Sequence, residues 1–262
     1  MSFIFDLNPI IQALLATLFT WGVTAIGASL VFMFGKIRKN ILDAMLGIAA
    51  GVMIAASFWS LLSPAIEMAD NLNMNTMLVV SLGFLSGGLL LFIGDKIINK
   101  LQKNTISGTN KRIIMLITSI TLHNIPEGLA VGVAFGSTLY GIDGASLMSA
   151  WTLAMGIGIQ NFPEGTAVSV PLRREGMSRK KSFFFGQLSG IVEPIAGILG
   201  ALLVLKMRII LPFLLAFAAG AMIYVVTEEL IPESQTNENK DFMAMFCLIG
   251  FTIMMTLDVL LG

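Results

Sequence analysis

Eight apolar runs, each about as long as a bilayer's hydrocarbon core is thick, divide this chain of 262 residues, and they exclude most folds otherwise open to it. A spanning helix needs about 20 consecutive apolar residues. The runs cover 9–34, 41–68, 75–98, 113–136, 146–170, 183–205, 209–230 and 242–261. The longest breaks between them, 99–112 and 171–182, are too short for a soluble domain. The expected architecture is an all-α membrane protein of eight transmembrane helices, with 1–262 forming one transmembrane domain. The first run follows a start carrying Asp6 and no Lys or Arg, so it lacks a signal peptide's basic region and is expected to remain as helix one.

Composition agrees with that architecture. The chain is 56% hydrophobic and 12% charged, against about 25% charged residues in soluble domains. An ordinary soluble enzyme is therefore excluded. Net charge is zero and like charges never run beyond a few residues, so no nucleic-acid footprint is present. The single cysteine, Cys247, has no partner for an internal disulfide.

Orientation follows from the basic residues. With the N-terminus outside, fourteen of the sixteen Lys and Arg residues fall on inner loops and helix ends, and only Lys206 and Arg208 fall outside. The positive-inside rule then places both termini outside, in a multi-pass protein of the cell membrane.

Polar groups deep in the runs carry the functional signal. Asp43, Glu228 and Glu229 lie near inner helix ends and Glu67 and Asp258 near outer ends, where solvated carboxylates are expected. By contrast, His123 and Glu127 sit near the middle of run four, Gln160 and Glu164 near the middle of run five, and Glu193 in the middle of run six. An ionisable group at the bilayer centre costs about 2.5–3.5 kcal/mol on insertion scales. No Lys or Arg lies at that depth to compensate. A bound cation or protons supply the missing positive charge most economically.

Spacing sharpens the reading. His-Asn-Ile-Pro-Glu-Gly at 123–128 and Gln-Asn-Phe-Pro-Glu-Gly at 160–165 repeat one pattern, x-Asn-x-Pro-Glu-Gly. The first residue and the glutamate of each are i and i+4, stacked on one helix face. Pro126 and Pro163 free the carbonyls of Leu122 and Ile159, and the glycines admit a second backbone or an ion. Helices four and five are thus expected to be broken at the proline, as in transporters that bind near the midplane. One imidazole with amide and carboxylate oxygens suits Zn²⁺, and also Fe²⁺, Mn²⁺ or Cd²⁺, but not Cu⁺. Glu127 and Glu164 could bridge two ions, one near His123 and Gln160, the other near Asn124, Asn161 and Glu193. Spacing permits one ion or two.

At these residues the chain resembles the ZIP (Zrt/Irt-like) family of metal transporters, in particular its bacterial GufA-like branch. HNIPEG looks like the family's fourth-helix motif, QNFPEG like its fifth-helix motif, and Glu193-Pro194 like its sixth-helix acidic position. The resemblance implies uptake of zinc or a related ion into the cytosol, with no organic cofactor. It implies one ion on His123, Glu127, Gln160 and Glu164, and a second on Asn124, Glu127, Asn161, Glu164 and Glu193. A homodimer is implied too, as is elevator-like motion of helices one, four, five and six against two, three, seven and eight. The chain also departs from the family. Gln160 replaces a frequent histidine, which should weaken zinc preference, and Asn161 stands where some relatives carry aspartate, leaving a second ion one charge fewer. Met53 and Ser57, i and i+4 on helix two, are candidates for a further ligand.

Two other functions compete from sequence alone. An intramembrane zinc hydrolase would normally need a second imidazole, and His123 is the only histidine. A proton-handling membrane protein with protonated glutamates needs no metal at all.

Overall fold

The computed structural model describes residues 7–33, 38–105, 109–140, 146–174, 176–206, 208–236 and 238–261, and no strand occurs among them. The helices in chain order are α1 (Pro9–Met33), α2 (Lys39–Asn71), α3 (Thr76–Thr105), α4 (Thr109–Ser137) and α5 (Leu147–Arg174). They continue with α6 (Arg179–Leu188 and Val192–Lys206, joined by a 3₁₀ turn), α7 (Leu211–Ser234) and α8 (Lys240–Leu261). Among the described residues, six are long and apolar enough to cross a membrane: α1, α2, α3, α6, α7 and α8. The two that carry the polar motifs, α4 and α5, are outside that six.

Two groups of helices emerge from the packing. In the first, α1 lies along α5, and α4 along α6; in the second, α2 lies along α8, and α3 along α7. Contacts of α2 with α5 and of α4 with α7 join the groups. Within a membrane, lipid tails compete with apolar side chains for every contact, so helices associate where small residues let backbones approach. That is what these pairs do. A Cβ on Gly51 would lie 1.9 Å from the Cys247 carbonyl oxygen, and one on Gly220 would lie 1.9 Å from that of Phe84.

Those contacts disclose an internal correspondence. Gly51 meets Cys247 and Gly250 meets Ile48 between α2 and α8, just as Gly220 meets Phe84 and Gly87 meets Phe217 between α7 and α3. Between α4 and α6, Gly128 meets Glu193, just as Gly165 meets Thr24 between α5 and α1. Helices α1–α3 therefore correspond to α6–α8, and α4 to α5. The same register carries Glu193 onto Thr24 and Asp258 onto Asp95. Asp258 accepts a bond from Ser60 of α2 at 2.7 Å, while Asp95 bonds Tyr224 of α7.

Three expectations are corrected here. Helices α4 and α5 continue through Pro126 and Pro163 rather than breaking, because losing one backbone hydrogen bond does not end a helix packed on both sides. The irregular turns lie elsewhere: π turns at Ser57–Leu62 ahead of Pro64 and at Val226–Leu230 ahead of Pro232, and the 3₁₀ turn Ser189–Ile191 ahead of Pro194. Asp43 and Asp258 are buried rather than solvated, since α7's last turn packs on α2 and Ser60 bonds Asp258. Glu67 and Glu228 are exposed, as expected of helix ends.

Candidate functional site

The motif glycines build the site before any side chain does. Because Gly128 has no Cβ, α6 comes so close that a methyl there would sit 2.4 Å from the Glu193 carbonyl oxygen. Glu193 is thereby set beside Glu127, the residue before that glycine. On α5, Gly165 does the same for α1, whose Thr24 carbonyl oxygen lies 2.0 Å from where its Cβ would be. Both glycines admit a neighbouring helix. The four helices α1, α4, α5 and α6 meet at the level of the paired motifs.

Asn124, Glu127, Gln160, Asn161 and Glu193 are fully buried there, and Glu164 is 5% exposed. The backbone of His123 lies in α4, while its side chain lies outside the described residues. Four of the six described candidates form two linked sets. Gln160 donates through Nε2 to Glu127 Oε1 at 2.6 Å, tying α5 to α4. Asn161 donates through Nδ2 to both oxygens of Glu193 at 3.0 Å and to the Thr20 carbonyl at 3.2 Å, tying α5 to α6 and α1. The Thr20 hydroxyl also donates to Glu193 Oε2.

Most of what remains unbonded is oxygen. Among the described residues, Asn124 Oδ1, Glu127 Oε2, Gln160 Oε1, Asn161 Oδ1 and Glu164 Oε2 are buried oxygens with no hydrogen-bond partner, and the Asn124 amide nitrogen is unbonded as well. A buried polar atom without a partner costs about 1–3 kcal/mol, so five such oxygens around one level demand an electrophile. Charge points the same way. Glu127 is close enough to Glu164 and Glu193 for their charges to interact, and Glu164 is within such range of Glu193 and of Glu229 on α7. Among the described residues no three His, Cys, Asp or Glu side chains form a metal cluster by themselves. Amide oxygens alternate with the carboxylates instead, giving an oxygen-dominated donor set suited to divalent cations.

Sequence reasoning missed α1. Thr17, Thr20 and Thr24 are fully buried along one face of it, and Thr20 and Thr24 border Glu193. The signal was legible as hydroxyls three and four residues apart in an otherwise apolar run. Of the helix-two candidates, Met53 and Ser57 are both buried, and the Ser57 hydroxyl donates to the Met53 carbonyl at 2.7 Å. That bond is local to the start of the π turn and ties Ser57 to its own helix rather than to α4 or α5.

Comparison with known proteins shows the family. A family model described as ZIP Zinc transporter matches residues 102–258, more than half of the chain. The chain is 41% identical to zinc transporter ZIP11 of Xenopus tropicalis, over 97% of this chain and 98% of that protein. It is 32% identical to zinc transporter GufA of Myxococcus xanthus, over 95% and 98% respectively. With zinc transporter ZIPB of Bordetella bronchiseptica it shares 33% identity, over 92% of this chain and 79% of that protein.

Proposed function

Because this chain belongs to the ZIP zinc transporter family, whose members are metal transporters and not enzymes, we propose that it takes divalent transition-metal ions, zinc foremost, into the cytosol. The observation that supports this reading best is the group of buried, unbonded oxygens on α4 and α5. His123, Asn124, Glu127, Gln160, Asn161, Glu164 and Glu193 carry the site in this proposal, Glu127 and Glu164 being shared where two ions bind. Iron, manganese and cadmium are further cargo for an oxygen-rich donor set.

All of α1 to α8 span the membrane in this reading, with α4 and α5 carrying the site. Both termini face outside, as the distribution of basic residues requires. The chain acts as one transmembrane unit, paired as a homodimer in the cell membrane. The two packing groups match the division an elevator needs, with α1, α4, α5 and α6 carrying the ion past α2, α3, α7 and α8. Near the outer ends of α2, α4, α5 and α7, a cavity of about 10 Å³ is lined by Ser60, Ser137, Ser146 and Ser149. Pro64, Met68, Ala134, Ala150 and Leu215 complete its lining, and it has room for roughly one water molecule.

Metal uptake by the purified protein in liposomes, compared across Zn²⁺, Fe²⁺, Mn²⁺ and Cd²⁺, tests the function directly; no uptake of any of them would refute it. Orientation has its own test. After Cys247→Ser, a cysteine introduced at Asn73 reacts with an impermeant reagent in intact cells, and one at Ser178 does not. The opposite pattern would reverse the topology and the direction of transport.

Selectivity is set in part by Gln160. Replacing its amide with imidazole by Gln160→His is expected to favour Zn²⁺ over Mn²⁺, since zinc accepts nitrogen ligands readily. An imidazole ligates only when neutral and protonates near pH 6.5. The gain in zinc affinity is therefore present above that pH and lost as pH falls through it. Competition binding at pH 7.5 and 5.5 checks this, and equal affinity ratios in variant and parent would show that residue 160 does not face the ion.

A further inference from the structure

The three buried carboxylates of the site are bonded differently. Glu127 and Glu164 each keep a buried Oε2 without a partner, whereas both oxygens of Glu193 are engaged. Asn161 Nδ2 has two protons, and its three acceptors are the two Glu193 oxygens and the Thr20 carbonyl. An ionised carboxylate only accepts, so the amide must turn its nitrogen toward Glu193 and its oxygen away. Asn161 Oδ1 is the buried atom left unbonded. The Thr20 hydroxyl has one proton for two acceptors, the Thr17 carbonyl at 3.0 Å and the Glu193 carboxylate, and the charged acceptor makes the stronger bond. Thr24, which occupies in α1 the register of Glu193 in α6, donates to the Thr20 carbonyl at 3.3 Å and is a second, weaker hydroxyl partner of the Glu193 carboxylate. Gly190, in the 3₁₀ turn of α6, leaves the space into which the carboxylate folds back. A Cβ there would lie 2.9 Å from Glu193 Oε1, 3.0 Å from Trp21 and 3.1 Å from the Thr24 hydroxyl.

We propose that Thr20 is a positioning residue of the transport site: its hydroxyl holds the Glu193 carboxylate against the Asn161 amide nitrogen, so that Asn161 presents Oδ1, and not its NH₂ group, to the cargo cation. This rests on the metal-site reading above. Helix α1 then belongs to the site without contributing a ligand, and Glu193 acts on the ion through its charge and through Asn161. Without the hydroxyl the carboxylate loses one of the groups that hold it against the amide, and an amide that turns its NH₂ group toward a cation repels it. Removing an outer partner of a metal ligand typically costs about 10–100-fold in affinity.

The test uses the full chain in liposomes, with initial rates of uptake measured against Zn²⁺ concentration. Thr20→Val, which keeps the shape and removes the hydroxyl, is expected to raise KM about 10–100-fold with a smaller effect on maximal rate. Thr20→Ser, which keeps the hydroxyl, restores the KM. Gly190→Ala removes no polar group but pushes the carboxylate out of its seat, and is expected to raise KM in the same way. Melting temperature in zinc-free detergent separates these effects from folding, and Thr20→Ala replaces Thr20→Val if the latter does not insert. Wild-type KM in Thr20→Val, or a KM as high in Thr20→Ser as in Thr20→Val, would overturn the proposal. Glu127→Ala is run alongside. If it transports normally the site reading itself fails; if it is inactive while Thr20→Val is normal, only the clamp fails.

Discussion

Glu127→Ala and Glu164→Ala each abolish metal uptake while the protein remains folded and inserted. Both residues stand at the level where the unbonded oxygens collect, and each leaves one carboxylate oxygen free for a cation. Loss of such a ligand should exceed the roughly 10–100-fold that loss of an outer partner costs. Folding survives because two terms oppose one another. Truncating Glu127 leaves the Gln160 amide nitrogen without its acceptor, at about 1–3 kcal/mol. It also removes a carboxylate whose burial costs about 2.5–3.5 kcal/mol. Net stability in zinc-free detergent is therefore expected to change little. The stabilisation that added Zn²⁺ confers on the parent, which grows with the ratio of free metal to Kd, should disappear. Uptake in liposomes and paired melting curves with and without zinc check both halves, and near-parental uptake by either variant would remove these glutamates from the site.

A second large effect is steric. Gly128→Ala places a methyl 2.4 Å from the Glu193 carbonyl oxygen and 2.6 Å from its Cα, both of them backbone atoms that cannot rotate away. Helices α4 and α6 must separate, and inserting a methylene into a close-packed contact costs about 1–3 kcal/mol. Separation also draws Glu193 away from Glu127, so uptake should fall together with melting temperature. Gly22→Ala is the control, because a Cβ at Gly22 meets nothing within 4 Å and alanine is the better helix former. It is expected to leave uptake intact and melting unchanged or slightly higher. Equal behaviour of the two variants would show that the α4–α6 contact does not position the site.

The candidate ligands were legible in the sequence because the membrane makes them conspicuous. His123, Glu127, Gln160, Glu164 and Glu193 lie in runs where a polar residue costs free energy unless it has work to do. The spacing of x-Asn-x-Pro-Glu-Gly then put the first residue and the glutamate on one face, a matter of helix period alone. Spanning length, all-α character and the repeat between 123–128 and 160–165 are of the same kind. They follow from local periodicity and from transfer free energy, and neither needs to know which helix lies beside which.

Neighbours decided the rest. Asp43 and Asp258 lie near run ends, where sequence reasoning expects solvation, yet the fold buries both. Nothing in Pro126 or Pro163 states whether a helix breaks, because packing on both sides determines whether the freed carbonyl is tolerated. Thr20 and Thr24 read as ordinary hydroxyls in an apolar helix, since a Ser or Thr in a membrane can bond its own preceding turn at small cost. They acquire meaning only when Gly165 brings α1 onto α5 and Gly128 brings Glu193 onto α4. Which amide atom is left unbonded is likewise a tertiary matter, because a carboxylate on one helix chooses the orientation of an amide on another.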